Sequence, residues 1–196
     1  MVRISGEIRR AVLIWSAANI LGLSVPPLIM SLIPQLTAIS GLLSTILIIS
    51  LPLSLAQWIA LRRTLPVSIS WIFSLPVSIL VLVLIIRELP EDYWGYIDPE
   101  SLVVLSASAF VIGLIIAIPQ WLILRLEYDG SSIWLLGTVL GVGLGASIVI
   151  GTDLVNASGV LAYIFAALFY VLMTGLTLSV LISRGFTSKS TSSGVV

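Results

Sequence analysis

The sequence predicts an all-α integral membrane protein with six transmembrane helices. Of its 196 residues, 59% are hydrophobic and only 9% are charged, whereas soluble domains carry about 25% charged residues. The mean hydropathy is +1.20. Apolar runs of about 20 residues, the length that crosses the hydrocarbon core, recur along the whole chain. This composition excludes a soluble globular protein.

Six apolar windows are long enough to span a bilayer. They cover approximately residues 11–33, 36–61, 66–87, 101–125, 132–152 and 156–183. Polar or turn-forming residues separate them, as at 61–65 and 126–132. The first window is longer than a signal-peptide core and has no clear small-residue cleavage site, so we interpret it as a retained helix.

The basic residues predict the orientation of these helices. With six spans and an inner amino terminus, Arg87 alone would lie outside, and the other eight of the nine basic residues would lie inside. Such an excess on the cytoplasmic side is what the positive-inside rule requires. The sequence therefore predicts one membrane domain over residues 1–185 with both termini cytoplasmic, followed by a flexible Ser/Thr-rich tail at 186–196.

The odd-numbered helices share a spacing of tryptophan and small residues. Each begins with a tryptophan (Trp15, Trp71 or Trp134), followed by a small residue three positions later and another four beyond that. Small residues four apart share a helix face and let a neighbouring backbone approach closely. The predicted packing residues are Ala18, Gly22, Ser74, Ser78, Gly137, Gly141 and Gly145.

The even-numbered helices share a closing motif. "QWIALRR" begins at Gln57 and "QWLILRL" at Gln120, although the chain has only three glutamines. The sixth helix ends in "SVLISR", where Ser179 and Val180 stand in place of Gln and Trp. Two spans per unit preserve orientation, so the pattern predicts three tandem parallel hairpins at approximately 11–63, 66–126 and 132–184.

The repeated motif resembles that of a group of bacterial membrane proteins, frequent in cyanobacteria, in which Gln-Trp-Leu-Val-Leu-Arg precedes Gly-Trp-Trp. The likeness covers helices 1 to 5 reasonably and helix 6 poorly. This chain has Ser70-Trp71 and Ile133-Trp134 at the Gly-Trp positions. The resemblance implies the same six-helix fold and implies no activity.

The residue types argue against catalysis. The chain has no histidine and no cysteine, which removes the commonest metal and haem ligands and all thiol chemistry. A serine nucleophile needs an activating base, and the predicted membrane interior contains no carboxylate or basic group. We therefore predict a non-enzymatic protein with no metal site, no required cofactor and no nucleic-acid partner.

Two interpretations remain open for Gln57, Gln120 and Asn19. In the first, the amides bond neighbouring helices, while tryptophans and arginines anchor the inner interface; the anchors are Trp15, Trp58, Trp71, Trp121, Trp134, Arg62, Arg63 and Arg125. In the second, the three residues line a pocket for a lipid headgroup, carotenoid, quinone or the magnesium of chlorophyll. An amide oxygen can ligate such a hard cation.

Two surfaces could contact partners. The acidic loop 88–100 contains Tyr93, Trp94 and Tyr96, which fit either an interfacial aromatic belt or a partner-docking patch. The small-residue face of helix 5 fits either packing inside the protein or docking on another subunit.

The function predicted from these features is a small accessory or structural subunit of a membrane complex that contacts partner helices, lipids or pigments. The alternative is a small transporter or channel for an uncharged or amphipathic solute, with Gln57, Gln120 and Asn19 along its path. The expected location is a bacterial inner membrane, or a thylakoid membrane if the source is photosynthetic. The expected partners are membrane lipids and other membrane subunits.

Overall fold

The computed structural model describes residues 6–32, 48, 50–88, 102–154 and 159–183, and these are almost entirely helical. The elements are α1 (Gly6–Leu32), α2 (Leu51–Arg62), a 3₁₀ helix (Ile69–Phe73), α3 (Ser74–Glu88), α4 (Leu102–Glu127), α5 (Ser132–Leu154) and α6 (Gly159–Ser183). The predicted aromatic loop, the tail and most of the first half of the second span lie outside the described residues.

Four helical segments are long and apolar enough to cross a membrane within the described part of the chain. They are Ile69–Glu88, Ser106–Glu127, Ser132–Val149 and Ile164–Ser183. The first of these joins the 3₁₀ helix to α3. The chain is therefore an α-helical membrane protein, as the composition predicts.

The helices pack in chain order. Helix α1 contacts α2, α3 contacts α4, α4 contacts α5, and α5 contacts α6, while the α2–α3 junction is made chiefly through the 3₁₀ helix. Helix α6 also packs against α1, so the last helix meets the first. The result is a closed arrangement of helices around a shared centre, and the buried residues of that centre form the candidate site described below.

The third span, predicted over approximately residues 66–87, begins with a 3₁₀ helix rather than an α-helix. Pro66 disfavours helical backbone in the residue before it, and Ser68 then caps a 3₁₀ turn by accepting a hydrogen bond from the Ser70 amide at 3.3 Å. The Ser68 amide donates to Glu127 Oε1 at 3.1 Å, which ties this turn to the end of α4. Trp71 therefore lies in a 3₁₀ helix, and the α-helix begins only at Ser74.

A short reversal joins α4 to α5. Gly130 adopts φ = 76°, a left-handed conformation that glycine takes without steric cost. The Tyr128 amide donates to the Leu124 carbonyl at 2.7 Å, and the Trp134 amide donates to the Ser131 carbonyl at 2.9 Å. Burial raises the pKa of Tyr128 to about 12, with a further increase from the Glu127 carboxylate, so the phenol stays neutral at physiological pH.

The small-residue rows lie at contacts inside the bundle. A Cβ at Gly22 would lie 3.0 Å from Leu53 Cα of α2, and a Cβ at Gly141 would lie 3.2 Å from Tyr170 Cα of α6. Gly137 and Gly145 likewise face α6, at Thr177 and Ala166. Gly137, Gly141 and Gly145 of α5 therefore lie at the contact with α6, and docking of another subunit on this face stays a prediction.

Candidate functional site

Three tryptophans from the odd-numbered helices meet at the centre of the bundle. The Trp15 and Trp134 rings pack edge to face with centroids 5.2 Å apart, and Trp71 packs against Trp134 in the same way at 5.6 Å. All three side chains are 0% exposed. Edge-to-face contacts add stabilisation beyond the area that they bury, so these rings form the centre of the core.

This burial corrects one prediction from the sequence. We expected Trp15, Trp71 and Trp134 to anchor the inner interface, but a fully buried ring cannot reach lipid headgroups. The physical reason is the position of each tryptophan on its helix. Each indole lies on the same face as a small residue one turn further along, so the faces that approach closely also bring the rings together.

Trp58 and Trp121 occupy a different environment. Both are partly buried, and the guanidinium carbons of Arg62 and Arg125 lie 5.0 Å from their respective ring centroids. This is the geometry of a cation–π contact. The two copies of the motif thus place tryptophan and arginine in matching pairs, and their role as anchors of the inner interface stays a prediction.

The predicted amides form a hydrogen-bonded network with a residue of α6. Gln57 Nε2 donates to Asn19 Oδ1 at 2.8 Å and to the Tyr170 hydroxyl at 3.1 Å. Asn19 Nδ2 in turn donates to the Trp15 carbonyl at 2.9 Å. Gln57 and Asn19 are both 0% exposed. The network links α1, α2 and α6 through neutral groups.

Gln120 makes a second connection, to α5. Trp134 Nε1 donates to Gln120 Oε1 at 3.0 Å, and Gln120 is also fully buried. The Tyr170 hydroxyl faces the Gln120 side chain. However, Gln120 Nε2 does not reach bonding geometry with this hydroxyl or with any other described group. Tyr170 therefore lies between the two glutamines that the motif predicts.

Helix α6 contributes a threonine where α4 contributes a glutamine. Trp15 Nε1 donates to Thr174 Oγ1 at 2.9 Å, which matches the bond from Trp134 to Gln120. A leucine at 1% exposure follows each of the three positions by four residues: Leu61 after Gln57, Leu124 after Gln120, and Leu178 after Thr174. The residue of α6 in this environment is thus Thr174, whereas Ser179, which the sequence aligns with the glutamines, bonds its own helix at Leu176.

Trp71 departs from this arrangement. Its Nε1 and the Gln57 Oε1 are both buried without a hydrogen-bond partner among the described residues. By contrast, the Trp15 indole of α1 donates to α6, and the Trp134 indole of α5 donates to α4. The 3₁₀ conformation turns the chain by about 120° per residue, compared with about 100° in an α-helix. This difference reorients Trp71 relative to the other two.

Two residues of this centre, Thr174 and Tyr170, are not among the site residues that the sequence predicts. Thr174 belongs to the polar residues within the predicted sixth span, but its alignment with the glutamines is offset by five positions. Tyr170 was missed. A tyrosine in the middle of an apolar span, one turn before a threonine, is the signal that could have identified it, because a buried phenol usually finds a hydrogen-bond partner.

The centre consists of amide, indole, phenol and hydroxyl groups. Within the described residues no cluster of three or more His, Cys, Asp or Glu residues could hold a metal ion. Groups of this kind donate and accept hydrogen bonds, and none of them can activate a nucleophile at neutral pH. A comparison of the chain with known protein families, curated proteins and solved structures finds no match.

Proposed function

We propose that this protein is a non-enzymatic membrane subunit that works through contacts of its outer helix faces with lipids and partner helices. One observation carries the proposal. Four of the polar side chains that lie at depth, Asn19, Gln57, Gln120 and Thr174, are fully buried and bonded to other side chains of the bundle. Polar groups used in this way act as interhelical connections, which leaves the outer faces for function.

The architecture that we propose is six spans in three tandem hairpins with both termini cytoplasmic. In support, Arg10 of α1, Arg63 after α2 and Ile182 of α6 line one cavity of about 550 Å³. The bond from Ser68 to Glu127 brings the end of α4 to the turn after α2. The start of α1 and the ends of α2, α4 and α6 thus share one end of the bundle, and this end contains most of the described arginines.

The outer faces are apolar and suit a bilayer. Helix α3 is an example, because its exposed side chains are large and hydrophobic over two turns, including Leu80, Val81, Leu84 and Ile85. Exposed apolar surface of this kind contacts membrane lipids. We propose a bacterial inner membrane as the location, or a thylakoid membrane in a photosynthetic source, where a carotenoid or chlorophyll could lie against such faces.

Purification from the native membrane tests this function. We expect the tagged protein, extracted in a mild detergent, to form a complex whose protein mass, without the bound detergent, exceeds its own 21.0 kDa, with a partner in fixed stoichiometry by mass spectrometry. An absorption spectrum of the same sample reports any bound pigment. A monomer without partner, pigment or retained lipid would contradict the proposal.

The alternative function is a transporter or channel for an uncharged or amphipathic solute. The observation in its favour is that several buried polar atoms lack partners among the described residues, among them Gln57 Oε1, Gln120 Nε2 and Trp71 Nε1. Such atoms could bond a passing solute, because a buried unpaired group costs about 1–3 kcal/mol. Solute flux in liposomes that is lost on Gln57→Leu, with unchanged folding, would favour this alternative over the subunit.

A further inference from the structure

A groove runs along the outer junction of α1 and α6. One wall is the face of α1 that includes Ile8, Val12 and Ile20, and the other is the face of α6 around Leu172 and Leu176. Its volume is about 450 Å³. Gly175 lies close to α1 at the floor, since a Cβ there would lie 3.5 Å from Val12 Cγ1. The groove is thus an open depression on the surface between the two helices.

The length of this groove matches one leaflet of a bilayer. Ile8 and Ile20 are twelve residues apart, which is about 18 Å along a helix, and half of the hydrocarbon core is about 15 Å. The lining is apolar except for Arg9 at one end and the hydroxyls of Ser16 and Ser179. An occupant therefore needs a hydrocarbon portion of leaflet length.

The groove is too narrow to hold the full cross-section of a helix. A volume of 450 Å³ over about 18 Å gives a mean cross-section of about 25 Å². A helix with its side chains is about 10 Å across, which corresponds to about 80 Å². Non-bonded carbon atoms approach to about 4 Å, so the groove accommodates roughly one hydrocarbon chain.

The end of the groove is basic. Arg9 lines the groove, and the next residue, Arg10, lines the neighbouring cavity together with Arg63 and Thr64. Glu7 also lines that cavity, so two guanidinium groups there face one carboxylate. Guanidinium groups bind phosphate oxygens through paired charged hydrogen bonds. A negative headgroup therefore complements this end.

We propose that the α1–α6 groove binds one acyl chain of a phospholipid with an anionic headgroup, whose phosphate lies against Arg9. The inference goes beyond the function proposed above and holds for either candidate, because it requires only that α1 and α6 lie in a bilayer. The lipid would cover the α1–α6 junction and so stabilise the contact that closes the bundle.

Native mass spectrometry of the delipidated protein tests the site with dioleoyl phosphatidylglycerol and dioleoyl phosphatidylcholine as probes. We expect one retained phosphatidylglycerol, bound about five- to tenfold more tightly than phosphatidylcholine. Arg9→Gln should remove this preference. The matched control is Arg62→Gln, which changes an exposed arginine at the same end of the bundle and should alter the affinity less than twofold.

A second pair of variants tests the groove itself. Ser16→Leu fills the groove and should prevent lipid retention, whereas Ala17→Leu adds the same side chain at the neighbouring exposed position, outside the groove, and should retain it. Equal binding of the two lipids, or equal weakening by both arginine variants, would overturn the proposal. So would displacement of the lipid by inorganic phosphate, or a Ser16→Leu protein that keeps its lipid and loses only a protein partner.

Discussion

Trp134→Ala should destabilise the protein by about 3–5 kcal/mol, the range observed when a tryptophan is truncated in a packed core. Trp134 is the central ring of the tryptophan cluster, since it packs against both Trp15 and Trp71. Its removal also leaves Gln120 Oε1 without the donor at 3.0 Å. The free energy of unfolding, measured by titration with dodecyl sulfate in mixed micelles and followed by circular dichroism, checks this expectation.

Trp121→Ala is the matched control for this variant. Trp121 is only partly buried and contacts Arg125, and an exposed cation–π contact contributes about 0.5–1 kcal/mol. The control should therefore lose much less stability than Trp134→Ala. Equal losses for the two variants would show that the central cluster does not dominate the core.

Gly145→Ala should destabilise the packing of α5 against α6 by about 1–3 kcal/mol, the usual cost of inserting a methyl group into a filled contact. A Cβ at this position would lie 2.9 Å from the Ala166 carbonyl oxygen and 3.3 Å from its Cα. Both atoms belong to the backbone, so the two helices have to separate. The same unfolding titration measures the effect.

Gly175→Ala is the control for this second change. It also places alanine in the middle of a helix, but its Cβ would lie 3.5 Å from Val12 Cγ1, which is an ordinary contact distance. Because alanine favours a helix over glycine by about 0.5–1 kcal/mol, this variant should be neutral or slightly stabilised. A loss of stability in Gly175→Ala, or none in Gly145→Ala, would contradict the described α5–α6 contact.

The sequence predicts the fold class well because composition and apolar length determine it directly. Four of the predicted spans are long and apolar enough in the described residues. Helix α1 is not among these four, and three residues of its first turns, Glu7, Arg9 and Arg10, are charged. Most of the predicted second span before α2 lies outside the described residues. The six-span count therefore stays a prediction.

The candidate site is predictable only in part. The residues Asn19, Gln57 and Gln120 stand out because polar side chains are rare in such an apolar chain. Their partners depend on how helices far apart in sequence meet: Trp15 bonds Thr174, and Gln57 bonds Tyr170. No local pattern encodes these pairs. The burial of Trp71 also depends on a 3₁₀ turn that follows Pro66, which periodicity alone does not reveal.

Water access to the central polar residues is the most direct test of whether they act as structural connections or line a solute path. The chain has no cysteine, so the labelling of a single substituted cysteine reports the water access of that one position. Ser54 is buried one helical turn before Gln57, and Ser74 is buried three residues after Trp71. Ser54→Cys and Ser74→Cys are near-isosteric changes at these positions, and Ser68→Cys provides an exposed control. With a membrane-impermeant thiol reagent added to the folded, solubilised protein, we expect complete labelling at Ser68→Cys and none at the two buried positions. Rapid labelling at Ser54→Cys and Ser74→Cys would contradict the structural role and favour a channel.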